Sequence, residues 1–382
     1  MGRFPSEGRI AGTGYNLKEE KVKQFIDATL GSIIDELSKP NGRPSVTLKR
    51  RPARVNCFLN EETRALQANE NVEDCEVTYS WPGKTAREAW RFGVVMRILG
   101  HISEAIQGQF VASKRDIYYL DPEYFGSQRM VDRYIDDISY TIGVDRMALH
   151  VAAAAKGLTA GCFKIRLQNG DILNVGEHAE VREKFSMFFL VILTGKQGIL
   201  ISMVENIAEI DLSDVNWILI IEKEGKGYPD LSTRAFLRSM FERNSSATNQ
   251  ITRFVPMYIL VDSDPDGMAI MSTYKYGSVA QVHENANLNV PNIEWVGLRS
   301  SDVATGVNTA ADRPLIPLTL RDRRKAQTML SKSPVFSEEQ EPGWRLELQR
   351  MLLMNVKAEI EVLYEYEGGI ERWLDKMLSE LI

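Results

Sequence analysis

Hydrophobic residues in the first half of the chain recur at helical spacing. In residues 17–38 they lie three or four positions apart, which predicts an amphipathic helix that Pro40-Asn41-Gly42 ends. The same spacing predicts four more helices, over 85–107, from Ser113 onward, over 128–140 and over 145–156. The last two are joined by a short turn at Gly143 and precede a strand-like stretch over 162–167. Two helices and a strand in this order favour a winged helix-turn-helix.

Continuous apolar runs replace this spacing in the second half of the chain. Residues 217–221 and 257–261 are apolar throughout, like strands that a parallel sheet buries on both faces. A helix over 231–243 between them completes a strand–helix–strand unit. The run 185–193 is far shorter than the ~20 residues of a membrane span, so it predicts another buried strand. The remaining predicted elements are a strand over 293–296, a surface loop over 331–343 and helices over 344–366 and 370–382.

Composition is ordinary for a soluble globular protein. The hydrophobic content is 44% and the charged content 26%, and 382 residues suggest two or three domains of roughly 150 residues. The three cysteines form no C-x-x-C pair, which argues against a disulfide framework or a zinc site and fits the cytosol or nucleus. The polar, glycine-rich start of the sequence, Met1 to Gly14, predicts a disordered tail rather than a signal peptide.

Charge is distributed unevenly between the two halves. Residues 1–150 carry equal numbers of basic and acidic side chains, so the net charge of −6 resides in the rest of the chain. A net negative charge argues mildly against a nucleic-acid-binding protein. This distribution is nevertheless compatible with a neutral first half that binds DNA and an acidic second half that holds metal-binding carboxylates.

Two features near the start of the chain each allow two interpretations. The amphipathic helix over 17–38 either packs on its own domain or docks onto a partner protein. The run 41–54 is either a solvated loop or a segment that contacts phosphate, because it holds basic residues and no acidic one. The basic residues of this run are Arg43, Lys49, Arg50, Arg51 and Arg54.

Acidic residues follow both apolar runs of the strand–helix–strand unit. Glu222 comes directly after the first run, and Asp262 and Asp264 follow the second. Ligands of parallel sheets bind at the carboxyl ends of the strands, so neighbouring strands would bring these carboxylates to one edge. Oxygen ligands there suit Mg²⁺, whose charge offsets the repulsion between carboxylates. An Asp-x-Asp sequence also occurs in phosphatases, glycosyltransferases and plain turns, so both interpretations stay open.

The segment Ser113–Tyr119 has the S-x-x-D pattern of a helix N-terminus. A helix that starts there puts Arg115 and Tyr119 on one face, with Tyr118 about 100° away. A tyrosine hydroxyl, with a pKa near ~10, is a poor nucleophile unless a neighbour such as a guanidinium stabilises its phenolate. The arrangement suits attack on a phosphodiester. By itself, the pattern is explained more plainly by two aromatic residues where a helix meets a core.

Three stretches of the sequence together resemble one family, that of topoisomerase VI A subunits and the meiotic double-strand-break transesterases. The similarity lies in their order and spacing and covers about residues 85–330. The stretches are Ser113-Lys114-Arg115-Asp116-Ile117-Tyr118-Tyr119, Gly225-Lys226-Gly227-Tyr228-Pro229-Asp230-Leu231-Ser232-Thr233-Arg234, and Val261-Asp262-Ser263-Asp264-Pro265-Asp266-Gly267 with Ser272-Thr273-Tyr274-Lys275-Tyr276-Gly277-Ser278.

The resemblance implies an α/β multidomain chain. A winged-helix domain would carry a nucleophilic tyrosine, and an α/β Toprim domain with a mostly parallel sheet would hold Mg²⁺ or Mn²⁺. The implied site residues are Tyr119 and Arg115 for catalysis, Glu222, Asp262 and Asp264 for the metal, and, as weaker candidates for DNA contacts, Lys226, Arg234 and Lys275. The segments implied are a disordered tail (1–16), an N-terminal helix and basic loop (17–84), a winged-helix domain (85–175), a Toprim domain (176–342) and C-terminal helices (343–382).

The resemblance also implies an activity and its partners. Tyr119 would attack a phosphate of double-stranded DNA, form a 5′-phosphotyrosyl link and release a 3′ hydroxyl. Two copies of the chain, each tyrosine facing the metal site of the other copy, would make the double-strand breaks that initiate meiotic recombination. A topoisomerase VI B-like subunit, together with other break-forming accessory proteins, would assist on chromosomes in the nucleus, with no role for a membrane.

The sequence departs from the family at two places. The family has a helix and a strand between the strand of Glu222 and the Gly-Lys-Gly motif, but here only Lys223 and Glu224 precede Gly225. The missing strand predicts a gap or a shifted register in the sheet. The apolar run 185–193 is not recognisable from the family. Two other functions therefore stay open: a catalytically impaired DNA-binding scaffold of the same family, and an unrelated Mg²⁺ phosphotransferase that uses only the α/β half.

Overall fold

The computed structural model of the chain describes most of its residues and divides them into two compact units. Unit 1 comprises Met1–Asn56 and Asn69–Ala154, and unit 2 comprises Cys57–Ala68 and Ala155–Ile382. The described residues are 13–50, 57–69, 75–152, 157–177, 189–193, 199–201, 204–222, 229–245, 254–282, 284–299, 316–365 and 368–381.

Unit 1 consists mainly of helices. The helices are α1 (Thr13–Leu37), α2 (Ala86–Gln107), α3 (Lys114–Leu120), α4 (Pro122–Phe125) and α5 (Gln128–Ile142), with a 3₁₀ turn over Arg146–Leu149. Two short sheets accompany them. One is the antiparallel pair of β1 (Ser45–Arg50) and β4 (Cys75–Ser80), and the other is the parallel pair of β5 (Ala112–Ser113) and β6 (Val151–Ala152).

Local sequence signals set the ends of the main helices in unit 1. The side chain of Thr85 caps α2 by accepting a hydrogen bond from the N–H of Glu88. Ser113 and Asp116 form a reciprocal capping box at the start of α3. Gly143 follows α5 in the left-handed conformation, which glycine adopts without a steric penalty. These ends confirm the helices predicted over 85–107, from Ser113 and over 128–140.

The apolar faces of α1, α2 and α5 form the core of unit 1. Helix α1 packs on its own unit through Val22 and Ile26, while Leu30, Ile34 and Leu37 are exposed. The helix predicted over 17–38 is thus confirmed, and docking onto a partner stays a prediction. The core residues of α2 and α5 include Val94, Val95, Ile98, Ile102, Val131, Tyr134, Ile135 and Ile138.

Two predictions for the start of the chain need correction. Helix α1 begins at Thr13, inside the tail predicted over 1–16, while residues 1–12 lie outside the described part. The region predicted as a basic loop contains strand β1, because its alternating Val46 and Leu48 are buried against the core. Arg51 and Arg54 lie outside the described residues.

The helix predicted over 145–156 was wrong for its described part. Only a 3₁₀ turn forms, and strand β6 follows it. His150 ends the turn with a φ of 54°, and its buried ring lies within hydrogen-bonding distance of the Glu19 carboxylate and the Phe110 carbonyl. These contacts hold the backbone in a left-handed conformation that cannot continue a helix. The predicted helix-turn-helix pair therefore lacks its second helix, and the winged-helix domain stays a prediction.

Unit 2 is built around a six-stranded sheet. In spatial order its strands are β11 (Ile199–Leu200), β7 (Leu158–Ala160), β10 (Phe189–Leu193), β13 (Trp217–Glu222), β14 (Met257–Val261) and β15 (Ile293–Trp295). The four strands from β10 to β15 run parallel, and β7 is antiparallel to both of its neighbours. The predicted α/β class is confirmed, the sheet is partly parallel, and the strands predicted at 217–221 and 257–261 are neighbours in it.

Helices and smaller sheets complete unit 2. The helices are α6 (Leu231–Ser245), α7 (Pro265–Tyr276), α8 (Leu320–Lys332), α9 (Pro342–Met354) and α10 (Gly369–Leu381). The smaller sheets are the hairpin of β2 (Cys57–Leu59) and β3 (Leu66–Ala68), the antiparallel sheet of β12 (Ile207–Asp211), β8 (Lys164–Leu167) and β9 (Ile172–Asn174), and the pair of β16 (Ile316–Pro317) and β17 (Val356–Lys357). None of the helices in the described ranges is long and apolar enough to cross a membrane.

Some predictions for unit 2 need correction. The strand predicted over 162–167 as part of a winged helix lies in the three-stranded sheet of unit 2, as β8. The helix predicted from 344 ends at Met354, because Asn355 follows in a left-handed conformation and strand β17 comes next. Residues 334–336 form a 3₁₀ turn with two buried side chains inside the predicted surface loop. Helix α8 was not predicted.

The two departures from the family both involve the neighbours of strand β13: the run 185–193 contains a strand that pairs with it, and the short connector follows it. The described part of the run 185–193 forms β10, which pairs with β13 in parallel over five residues. On its other side β13 pairs directly with β14, also in continuous register. The gap or register shift predicted for this sheet was wrong, since both edges of β13 are occupied. The connector residues 223–228 lie outside the described part, so their effect on activity stays a prediction.

Candidate active site

Helix α3 presents Tyr119 and Arg115 to solvent. Ile117 anchors the helix in the core with 1% of its surface exposed, and Tyr118 is half-buried against the same core. Tyr119 points outward and is 58% exposed. The guanidinium carbon of Arg115 lies 5.8 Å from the centroid of the Tyr119 ring, as expected for positions i and i+4 of one helix. The two neighbouring tyrosines are thereby distinguished: one is part of the packing and the other is accessible.

A buried ionic cluster lies beneath the start of α3. The ammonium of Lys114 is 2.5 Å from a carboxylate oxygen of Asp136 on α5. The same oxygen is 2.8 Å from Nε of Arg146, which is also buried. Burial, reinforced by the charge of Arg146, lowers the pKa of Lys114, and the Asp136 carboxylate opposes that shift. The cluster ties the first turn of α3 to α5, and no pattern in the sequence indicates it.

Glu222 ends β13 at the carboxyl edge of the six-stranded sheet. Its side chain is buried and accepts a 2.8 Å hydrogen bond from the hydroxyl of Tyr274 on α7. Burial, together with the neighbouring Glu222 carboxylate, holds the pKa of Tyr274 well above its usual range. The Tyr274 hydroxyl therefore stays protonated and holds the Glu222 carboxylate in place.

Asp262 and Asp264 follow β14 at the same edge of the sheet. One oxygen of Asp262 accepts a 2.9 Å hydrogen bond from the backbone N–H of Ile360. Asp264 caps α7 by accepting a 2.7 Å hydrogen bond from the N–H of Gly267. Burial, reinforced by the charges of the neighbouring aspartates, raises the pKa of Asp264. Both side chains are held by backbone donors, so their positions depend on the fold of this edge.

Asp266 in the first turn of α7 is the third acid of this run. Its carboxylate is buried and contacts the ammonium of Lys325 on α8, with the guanidinium of Arg321 at 3.6 Å. Its second oxygen has no hydrogen-bond partner among the described residues. The sequence contained Asp266 in the Asp-x-Asp-Pro-Asp run but gave no indication that cations of a later helix would reach it.

The carboxylates at this edge fit Mg²⁺ by their chemistry. They are hard oxygen donors, burial and the neighbouring aspartates raise the pKa of Asp264, and the unsatisfied oxygen of Asp266 is buried in the same run. A protein site for Mg²⁺ commonly supplies one or two carboxylates and leaves the remaining positions to water and substrate phosphate. In the part of the chain that the structure describes, three or more acidic, histidine or cysteine side chains do not gather into one metal-binding group. Which of Glu222, Asp262 and Asp264 would hold the ion stays a prediction.

The three predicted DNA-contacting residues have different surroundings. Lys226 lies outside the described residues. Arg234 on α6 is only 1% exposed, which argues against the predicted phosphate contact because DNA cannot reach a buried side chain. Lys275 forms a 2.6 Å ion pair with Glu341 and lies over the ring of Trp344, so its charge is already used within unit 2.

Comparison with known proteins identifies the family of the chain. A family model for the Toprim domain of the topoisomerase 6 A-subunit and Spo11 proteins matches residues 191–377, and one described as type IIB DNA topoisomerase matches residues 90–151. The chain is 32% identical to the meiotic recombination protein SPO11 of Homo sapiens, over 95% of this chain and 87% of that protein. It is 30% identical to the meiotic recombination protein rec12 of Schizosaccharomyces pombe, over 93% and 95% respectively.

The chain belongs to the family of topoisomerase VI A subunits and SPO11 proteins. It is also 31% identical to the A-type chain of DNA topoisomerase 6 of Arabidopsis thaliana, over 72% of this chain and 62% of that protein. The resemblance seen in the sequence motifs is confirmed, and so is the Toprim domain. The Toprim match of this SPO11-family chain begins within β10, so the apolar run 185–193 partly belongs to the domain.

Proposed function

We propose that this protein cuts double-stranded DNA by transesterification and makes the breaks that initiate meiotic recombination. The observation that carries the proposal is on α3, where Tyr119 is exposed beside Arg115 while Tyr118 is turned toward the core. Membership of a family whose relatives are named meiotic recombination proteins supports the biological role. The carboxylates at the edge of the Toprim sheet support a metal-assisted reaction.

The proposed reaction exchanges one phosphodiester for another. The phenolic oxygen of Tyr119 attacks a backbone phosphorus and loses its proton to solvent. The new bond joins the tyrosine oxygen to the 5′ phosphate, and the bond from phosphorus to the 3′ oxygen breaks. The 3′ oxygen leaves with a proton as a hydroxyl, so no bond energy is lost to hydrolysis. The guanidinium of Arg115 stabilises the negative charge that develops on the phosphate and on the phenolate.

Mg²⁺, or Mn²⁺, is the proposed cofactor. Asp262 and Asp264 would hold the ion, with Glu222 at the same edge of the sheet, and the bound ion would supply positive charge for the phosphate. The proposed partners are a second copy of the chain, a topoisomerase VI B-like subunit, and other break-forming accessory proteins. The proposed location is the nucleus, on chromosomes.

Covalent trapping on DNA tests the nucleophile. Purified protein is incubated with duplex DNA and Mg²⁺, denatured, and run on a gel that separates protein–DNA adducts from free protein. Tyr119→Phe is expected to abolish the adduct, because it removes the only oxygen that forms the link. Tyr118→Phe is the matched control and is expected to retain most of the adduct, because that side chain is part of the packing. Chelation of the metal with EDTA is expected to abolish the adduct of the unmodified protein.

Three results would contradict parts of the assignment. An adduct that persists in Tyr119→Phe would place the nucleophile elsewhere. An adduct that is lost equally in Tyr118→Phe, with both variants folded by circular dichroism, would mean that the pair acts only through packing. A persistent adduct in EDTA would remove the metal from the proposal.

A catalytically impaired scaffold of the same family is the second candidate. The observation that favours it is the connector, where only two residues separate Glu222 from the Gly-Lys-Gly segment. A chain that binds duplex DNA with ordinary affinity but gives no adduct under any of these conditions would be this scaffold.

A further inference from the structure

Helix α8 carries an exposed row of basic side chains. Arg321, Arg324 and Lys332 are exposed and lie three and eight positions apart, which puts them on one side of the helix at about 100° per residue. Thr328 lies on the same side between them and is also exposed. We call Arg321, Arg324 and Lys332 the basic stripe. The side chains of Ala326 and Met329 on the same helix are buried in the core of unit 2.

The one acidic residue of α8 does not neutralise the basic stripe. Asp322 is buried, forms the capping box of the helix with Thr319, and pairs with Lys357 at 3.0 Å. The outward surface of α8 is therefore positive, although the chain as a whole has a net charge of −6. A local excess of positive charge on an acidic protein is a feature of surfaces that bind polyanions.

The basic stripe begins next to the carboxylate edge of the Toprim sheet. Helix α8 packs against α7, and both Arg321 and Lys325 reach Asp266 in the first turn of α7. Asp266 is two residues from Asp264, the cap of that helix. The side chain of Arg321 is nevertheless 72% exposed, so its guanidinium can meet a second anion. A polyanion bound along the stripe would thus end beside the carboxylates.

We propose that the basic stripe binds the phosphate backbone of DNA and guides it to the carboxylate edge; the identity of the polyanion as DNA rests on the proposed function. Arg321 and Lys332 are eleven positions apart along the helix, or about 17 Å at ~1.5 Å per residue, which is long enough to meet several phosphates. Arginine and lysine contacts to phosphate position a duplex without reading its sequence. The stripe would make the DNA contacts that the sequence predicted for Arg234 and Lys275. The side chain of Arg234 is buried, and that of Lys275 is paired within unit 2.

The salt dependence of DNA binding tests the proposal. Each phosphate that a protein neutralises adds about −0.9 to the slope of log K against log salt concentration. All variants are made in full-length Tyr119→Phe protein, so that binding is measured without covalent attachment, and the ligand is a duplex of mixed sequence. Arg324→Gln is expected to reduce the magnitude of the slope by about 0.9, and Arg324→Gln with Lys332→Gln by about 1.8.

Arg323→Gln is the matched control. Arg323 is exposed on the same helix and its variant loses the same charge, but it lies about 160° around the axis from Arg321 and about 100° from Arg324, outside the stripe. The salt-dependence slope of the control is expected to stay unchanged. Loss of one stripe residue is expected to weaken the affinity for DNA roughly tenfold at 0.1 M salt, and the control should weaken it far less. Thermal unfolding of each variant checks that the helix remains folded.

Three outcomes would overturn the proposal. If the salt-dependence slope changes equally in Arg323→Gln and Arg324→Gln, only the overall charge of the protein matters. If the slope is unchanged in the stripe variants, the stripe does not contact DNA. An acidic protein that binds the stripe while DNA does not would assign the surface to a protein partner instead. Failure of the covalent adduct in the unmodified chain would contradict the proposed function alone, because the binding slopes are measured without a reaction.

Discussion

The two tyrosines of α3 are adjacent in the sequence but differ in their exposure to solvent. The rings of Tyr118 and Tyr119 have centroids 5.3 Å apart, yet one ring packs on the core and the other is exposed. The rotation of α3 about its axis decides which tyrosine is accessible. That rotation is fixed by Ile117 in the core and by Lys114, whose ammonium is buried against Asp136.

A change at Asp136 is expected to impair the orientation of Tyr119 more than DNA binding. Asp136→Asn leaves the charges of Lys114 and Arg146 buried beside a neutral amide, which typically destabilises a protein by about 3–5 kcal/mol. Urea unfolding measures that loss. The rate of adduct formation at saturating DNA is expected to fall at least tenfold, while the Kd for DNA changes less than threefold.

The conservative variant separates positioning from plain stability. Lys114→Arg keeps the charge at the first turn of α3 and is expected to restore most of the adduct rate relative to Lys114→Met. If Asp136→Asn lowers stability but leaves the adduct rate of the folded protein unchanged, the cluster supports the fold without positioning the tyrosine.

At the level of elements, most helices and the parallel strands could be predicted from the sequence because their signals are local. The cap at Ser113, the glycine after α5 and the apolar runs of β13 and β14 all gave the correct element. The 3₁₀ turn at 146–149 was missed, because His150 stops the helix through contacts with residues distant in sequence. Helix α8 was missed although Thr319 and Asp322 form a capping box at its start.

The candidate site was predictable in type but not in all its contacts. That Glu222, Asp262 and Asp264 follow neighbouring strands could be predicted, because acids at the ends of parallel strands are a recognisable pattern, while their role as metal ligands stays a prediction. The hydrogen bond from Tyr274 to Glu222 and the cations that meet Asp266 could not be foreseen, since they join elements whose packing is set by the whole unit. The same reason explains why Arg234 and Lys275 looked available for DNA.

Strand β10 provides a test of the Toprim sheet. Val191 pairs with Leu219 of β13 on one side and with Ala160 of β7 on the other, so its strand is interior. Val191→Pro removes a backbone donor from an interior strand and is expected to destabilise the unit by about 1–3 kcal/mol, because a buried carbonyl loses its hydrogen-bond partner. Leu200→Pro, in the edge strand β11, is the control and should lower the free energy of unfolding by less. Equal and small effects in urea unfolding would mean that β10 is not part of the sheet.

At the scale of the whole molecule, the proposed chemistry is divided between the two compact units. Tyr119 and Arg115 belong to unit 1, and the carboxylates of the Toprim edge belong to unit 2. One chain carries one Tyr119, and one tyrosine can link to only one DNA strand. A double-strand break therefore requires two chains, and a symmetric pair of chains matches the two-fold pseudo-symmetry of duplex DNA.

A mixture of two inactive variants tests whether the chains share their sites. Tyr119→Phe chains are mixed with Glu222→Ala chains, and nicking of duplex DNA is measured. If each tyrosine works with the metal site of the other copy, one site of the mixed dimer lacks both groups and the other site is complete. The mixture is then expected to nick DNA although neither variant does so alone. If each chain forms its own site, both sites of the mixed dimer lack one group, and no nicking returns. Mixed dimers that form, as shown by differently tagged chains, but do not nick would refute sharing between copies.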